Sequence, residues 1–164
     1  MNARPATSET PYVLWRWTSR STNAAATARA ALRCALEQLG YEGEAIGEAV
    51  LVASELVTNA TEHAVGPYEI RLRSAVAEWI CEIEDHDPRI PEIPPFPAVA
   101  PYVPAEPDRG GGLDALCALL TERGRGLHMV QHLTQGSWGF TADRTTKVAW
   151  FALPPCPRER SSLR

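Results

Sequence analysis

A carboxylate, a carboxamide and an imidazole recur at four-residue spacing near the middle of the chain: Glu55, Asn59 and His63. Residues four apart stack on one helix face, so the three form a polar row beside an apolar stripe of Val52, Leu56 and Ala60. A carboxylate one turn from a carboxamide supplies a base that can activate water and an oxygen ligand of the kind Mg²⁺ prefers. The same spacing also serves solubility on many helices, so the row alone decides little. A second constellation, Asp85-His86-Asp87-Pro88, follows an apolar strand. A carboxylate at a strand end can accept a hydrogen bond from the exocyclic amine of a base; Asp and Pro are also ordinary turn residues. The third is Glu122-Arg123-Gly124-Arg125-Gly126-Leu127. Glycines entering a helix let backbone N–H groups approach phosphates, and a helix N-terminus favours anions. This Gly-x-Gly lacks the lysine of a P-loop and the strand-first context of a dinucleotide fold.

The elements that must position these residues can be read from periodicity. Tyr12 to Trp17 alternates as a strand, with Tyr12, Leu14 and Arg16 on one face and Val13, Trp15 and Trp17 on the other. Ser21 to Asn23 is a capping cluster for a helix over 24–39, whose apolar stripe is Ala28, Leu32, Ala35, Leu36 and Leu39. A second helix runs from near Glu44 to Ala64 and stops before Gly66-Pro67. Strands follow over 68–73 and 77–83, joined by a short link that suits an antiparallel hairpin. Pro88 to Pro107 is too rich in proline to hold a helix. Short helices over 113–120 and 127–133 precede a final strand pair, 138–141 and 147–153. Helices interrupt an antiparallel set of strands with no βαβ repeat. This predicts an α+β fold, a two-layer sandwich whose mostly antiparallel sheet is covered on one face by helices and is wetter on the other.

The 164 residues suffice for one domain with a substantial core, expected over 12–153, with flexible tails over 1–11 and 154–164. A hydrophobic content of 45% fits a folded chain. The net charge of -4 disfavours direct nucleic-acid binding. No apolar run reaches membrane-spanning length and the N-terminus lacks a signal-peptide core, so the expectation is a cytoplasmic protein that does not engage a membrane. Cys34, Cys81, Cys117 and Cys156 form no CxxC pair and thus no zinc signature. The first three read as small core residues, and Cys156 as exposed in a proline-rich tail.

Taken in this order, the three constellations resemble the Bergerat-fold ATPase superfamily of histidine kinases, gyrase B and a class of heat-shock chaperones. The likeness is greatest to the bacterial anti-sigma-factor serine/threonine kinase branch. It rests on SELVTNATEHA at 54–64, IEDHDP at 83–88, GRGLHMVQHL at 124–133, WGF at 138–140 and KVAWF at 147–151, and spans roughly Trp15 to Leu153. The resemblance implies ATP and Mg²⁺ as cofactors. Asn59 matches the metal-coordinating asparagine, and Glu55 the acidic residue that orients or deprotonates the attacking group. Asp85 matches the aspartate that binds the adenine amine. Gly124 and Gly126, with the backbone of Arg125 and Leu127, match the glycine box beside the triphosphate. His63 is either a phosphate contact or a packing histidine. The implied activity is transfer of the ATP γ-phosphate to an anti-sigma-factor antagonist protein. A sigma factor is a second implied partner, and a homodimer an implied assembly. The segment 88–123 takes the place of an ATP lid, with a hinge at Asp108 to Gly112.

Three positions depart from the family pattern. A lysine three residues after the asparagine is here Glu62, a glycine two residues after the adenine-binding aspartate is Asp87, and a glycine before the closing lysine is Thr146. Arg125 and Lys147 are candidates to compensate the lost positive charge at the phosphates. The alternative the departures keep open is a non-catalytic interaction scaffold built on a degenerate ATP-binding fold.

Overall fold

The computed structural model of the protein describes residues 3–8, 10–93, 95 and 125–156, with Arg125 described through its backbone alone. Five strands form one sheet: β1 (Tyr12–Trp17), β2 (Tyr68–Ser74), β3 (Trp79–Asp85), β4 (Trp138–Ala142) and β5 (Lys147–Ala152). Their order is β1-β2-β3-β5-β4 and every neighbouring pair is antiparallel. Among the described residues three helices pack on this sheet: α1 (Ala24–Gln38), α2 (Gly43–His63) and α3 (Arg125–Leu133). The expected α+β sandwich with an antiparallel sheet is what the chain forms.

Strand alternation decides which residues face the helices. Tyr68, Ile70 and Leu72 of β2 stand beside Ile83 and Cys81 of β3, Ala149 and Phe151 of β5, and Phe140 and Trp138 of β4. All of these join a core with Leu32 and Leu36 of α1 and Val52, Leu56 and Ala60 of α2. The opposite face carries Arg71, Arg73, Glu82 and Glu84. It is only partly the wetter face that was expected, because Ile80, Val148 and Trp150 form a second buried apolar cluster on it beside these charges. Glu82 is fully buried and takes Arg71 Nε at 2.6 Å, Arg73 Nε at 3.0 Å and Arg4. A buried carboxylate needs such partners, because desolvating it alone is costly. Residues 3–8, expected as part of a flexible tail, lie along this face: Thr7 bridges Ala75 and Ser8 N–H donates to Ser74 O.

Several local expectations are corrected. A bulge between Val13 and Trp15 reverses the parity of β1, so Tyr12 shares the face of Trp15 and Trp17, paired with Leu72, Ile70 and Tyr68. Trp17 is buried, stacks between Trp15 and Tyr68 at centroid distances of 4.9 and 5.3 Å, and donates from Nε1 to Thr61 Oγ1 of α2 at 3.3 Å. Asn23 caps α1 without its side chain; its left-handed backbone, φ 56, departs from the extended conformation that a capping side chain needs. Cys34 is exposed and Cys156 buried, the latter anchored by Sγ to Leu39 O at 3.3 Å. The β2–β3 link runs to Glu78, closed by Ala75 N–H to Glu78 O, and β3 therefore starts at Trp79 and ends two residues later than expected. That shift brings Asp85 into the ladder. The helix expected over 113–120 and the hinge at 108–112 lie outside the described residues. Among the described residues no helix is long and apolar enough to cross a membrane.

Candidate functional site

α2 presents the polar row as its spacing predicts. Val52, Leu56 and Ala60 are buried, whereas Glu55 and Asn59 are half-buried on the adjoining face. The helix is held in place from α1, where Arg29 donates to Ser54 Oγ at 2.9 Å. Among the described residues neither Glu55 nor Asn59 has a hydrogen-bond or ion-pair partner. His63, the last helical residue, is exposed and its Nε2 lies 3.8 Å from Glu62. Burial, reinforced by the negative charge of Glu62, raises the Glu55 carboxyl above its ordinary range.

The first and third constellations meet. α3 begins at Arg125, two residues earlier than the Gly124-Arg125-Gly126 break suggests, and so Gly126 sits in its first turn. A methyl group on Gly126 would collide with Oε1 and Cδ of Glu55 and come within 2.8 Å of its Cγ. The absence of a side chain at 126 is what lets the Glu55 carboxylate lie directly against the start of α3; a larger residue would push that flexible side chain aside. Leu127 packs its side chain on the core and anchors that turn. Gly124 and the Arg125 side chain lie outside the described residues.

Asp85 occupies the other end. Register pairs it with Lys147, in line with Ile83 and Ala149, and so puts it on the helix-covered face at the strand terminus. It is buried, 2% exposed. Oδ1 accepts the Asp87 N–H at 2.9 Å and Oδ2 lies 3.2 Å from Lys147 Nζ. Desolvation raises its pKa; the Asp87 N–H and the Lys147 ammonium pull the other way without cancelling it. Lys147 also donates to the Asp87 and Arg89 carbonyls, each at 3.2 Å. Three acceptors match the three hydrogens of an ammonium group, so Lys147 has no donor to spare for a phosphate. The expectation that it compensates charge there is thereby corrected.

The departures acquire physical meaning. Asp87 does not leave a loose negative charge in the pocket, because Arg89 grips it with a fork, Nε to Oδ1 at 2.9 Å and an NH2 nitrogen to Oδ2 at 2.7 Å. That fork holds the Asp87 carboxyl well below its usual range. Thr146 closes the β4–β5 turn, donating N–H and Oγ1 to the carboxylate of Asp143 at 2.8 and 3.1 Å. This fixes the hairpin that delivers Lys147. Arg89 and Lys147 are the residues that sequence reasoning did not assign to the base end. The Asp-x-Arg spacing of 87–89 and the pairing of 147 with 85 were the available signals.

The oxygen donors of α2 fit a divalent cation of the hard class. Magnesium is commonly held by one or two protein oxygens, the remainder coming from phosphates and water. Among the described residues there is no cluster of three His, Cys, Asp or Glu side chains that would form a self-sufficient metal cage.

Residues 18–145 match the family model described as the histidine kinase-like ATPase domain. A solved structure with similar architecture is the Erythrobacter litoralis EL346 blue-light activated histidine kinase, with 20% identity and a TM-score of 0.44 over 84% of this chain and 43% of that one. The chain thus spans less than half the length of that kinase. No curated relative matches the sequence.

Proposed function

The chain belongs to the histidine kinase-like ATPase domain family, and from that premise we propose that it is an ATP-dependent serine/threonine protein kinase of the anti-sigma type. The observation that carries the reading is Glu55 lying against the Gly126 turn, one helical turn from Asn59, with neither side chain partnered among the described residues. A purely structural pair would be expected to find partners within that part of the fold.

In this reading adenine lies at Asp85 and the triphosphate between Asn59 and the start of α3. Asn59 is the residue that would hold Mg²⁺, which supplies charge neutralisation to the phosphates when bound. Glu55 accepts the proton from a seryl Oγ–H of the partner. The Oγ–Pγ bond forms as the bond between Pγ and the β–γ bridging oxygen breaks, and ADP leaves. The elevated Glu55 pKa makes the carboxylate a stronger base than an exposed glutamate. Glu62, standing where relatives carry lysine, contributes to that.

An anti-sigma-factor antagonist is the proposed acceptor, a sigma factor the second partner, a homodimer the proposed assembly and the cytoplasm the proposed location. The deciding experiment recovers partners from native extract and follows transfer from γ-labelled ATP to them. Label on a partner serine or threonine with the parent protein, and its loss with E55A, is the expected result. Nucleotide binding without transfer to any recovered partner would overturn the kinase reading in favour of a scaffold.

A further inference from the structure

The buried lysine at the base end has a use that charge neutralisation alone does not exhaust. Asp85 is enclosed by Lys147 from β5, by Asp87 and its partner Arg89 from the following loop, and by Tyr68 from β2. His86, next in the chain, turns outward to the Pro67 carbonyl at 2.8 Å. Within this enclosure the two carboxylate oxygens receive different donors, an N–H on Oδ1 and the ammonium on Oδ2. Each oxygen keeps one further lone pair. The same ammonium fixes the Asp87 and Arg89 carbonyls, and so it determines both the charge and the orientation of the Asp85 group.

We propose that Lys147 is the positioning residue for purine choice. Seated on Asp85 Oδ2 and on two loop carbonyls, it holds Asp85 as a pure acceptor and so selects a 6-amino over a 6-oxo purine nucleotide. An ionised carboxylate accepts from the adenine amine and repels a carbonyl at that position. A protonated one carries an O–H that donates to the carbonyl instead. Burial favours the protonated form and Lys147 opposes it. The ammonium therefore decides which pattern the pocket presents. This inference rests on the ATP reading above.

Two measurements test it. In the ligand-free protein, the Asp85 carboxyl carbon is titrated by NMR in the parent, K147Q and K147R. In parallel, affinities for ATP and for inosine triphosphate, which differs only along the six-position edge, are measured across pH. The expected result is that Asp85 titrates at higher pH in K147Q and that the ATP preference falls at least about tenfold. K147R, which keeps the charge, restores both. The parent itself, whatever the folding of K147Q, loses preference as pH falls through the Asp85 midpoint. A parent that binds ATP with a preference unchanged through that midpoint overturns this inference alone. So does K147Q with the parent's Asp85 titration. A parent that binds neither nucleotide overturns the ATP reading together with it.

Discussion

The two ends of the site are built on opposite terms. At the strand end, Asp85, Lys147, Asp87 and Arg89 satisfy one another, and each carboxylate has a positive partner at 3.2 Å or less. At the helix end, Glu55 and Asn59 have no partners among the described residues, and the charge of Glu62 acts on Glu55 repulsively. The closed end needs no ligand to be ordered and is suited to recognition by a preformed acceptor. The open end has polar capacity that the described residues leave unfilled, as a site for a ligand or metal requires. Under the proposed reading, recognition of the base is rigid, whereas engagement of phosphates changes the electrostatics of the site.

Breaking the open end has the largest expected effect. E55A lowers phosphoryl transfer by about 10²–10⁴-fold, the usual worth of a general base, while ATP affinity changes little. N59A instead loses Mg²⁺-dependent ATP binding. Single-turnover transfer and calorimetry separate the two; equal losses of affinity in both would erase the distinction between base and ligand. D85N comes next. It keeps one acceptor oxygen, turns the other into an NH2 donor and leaves the buried Lys147 ammonium without its carboxylate, so ATP affinity falls and stability falls by about 1–3 kcal/mol. If D85N left affinity unchanged in a folded protein, the closed end would not be the base site. G126A tests the seam between α2 and α3. The added methyl displaces the Glu55 side chain from the start of α3, so transfer falls, while stability read by denaturant titration changes by no more than about 1 kcal/mol.

The smallest effect concerns pH. Transfer needs Glu55 ionised, so it rises with pH through an elevated midpoint. E62Q removes one of the two causes of that elevation and moves the acidic limb of the rate profile to lower pH. An unmoved limb would mean that Glu62 does not act on Glu55. The linkage to stability has a definite sign. A carboxyl raised on folding costs stability progressively as pH rises from its unfolded to its folded pKa, the whole cost being present above the latter, and E62Q relieves part of it. Asp87 behaves inversely: its fork contributes stability above its unfolded pKa and loses it as pH falls toward the folded value.

Much of this architecture was legible in the residues. Helical spacing placed Val52, Leu56 and Ala60 inward and Glu55 and Asn59 beside them, because side-chain direction on a helix follows from sequence separation alone. Alternation likewise assigned the inner faces of β2 and β3. What failed were features set by one extra residue or by long-range contact. The β1 bulge reversed the parity of Tyr12, and no residue type announced it. β3 is shifted two residues toward the C-terminus, and its far end is set by the ladder with β5, which continues to Lys147, 62 positions away in the chain. The close approach of Glu55 to Gly126 comes from a side chain on another helix, which a local motif cannot show. Arg89 was passed over because an exposed arginine in a proline-rich stretch looks like solvent-facing charge.

The indole of Trp17 bears on how the protein can be watched. It lies in an aromatic stack that ends on Tyr68, beside Asp85, and it is tethered to Thr61 between Asn59 and His63. Light absorbed at this stack is emitted from an indole one residue removed from each end: Tyr68 on one side and Thr61 of α2 on the other. A nucleotide that draws the last turn of α2 inward lengthens the indole hydrogen bond and alters its polarity, so native emission should respond to saturation without any attached dye. W17F would remove that optical response and leave the four other tryptophans as background.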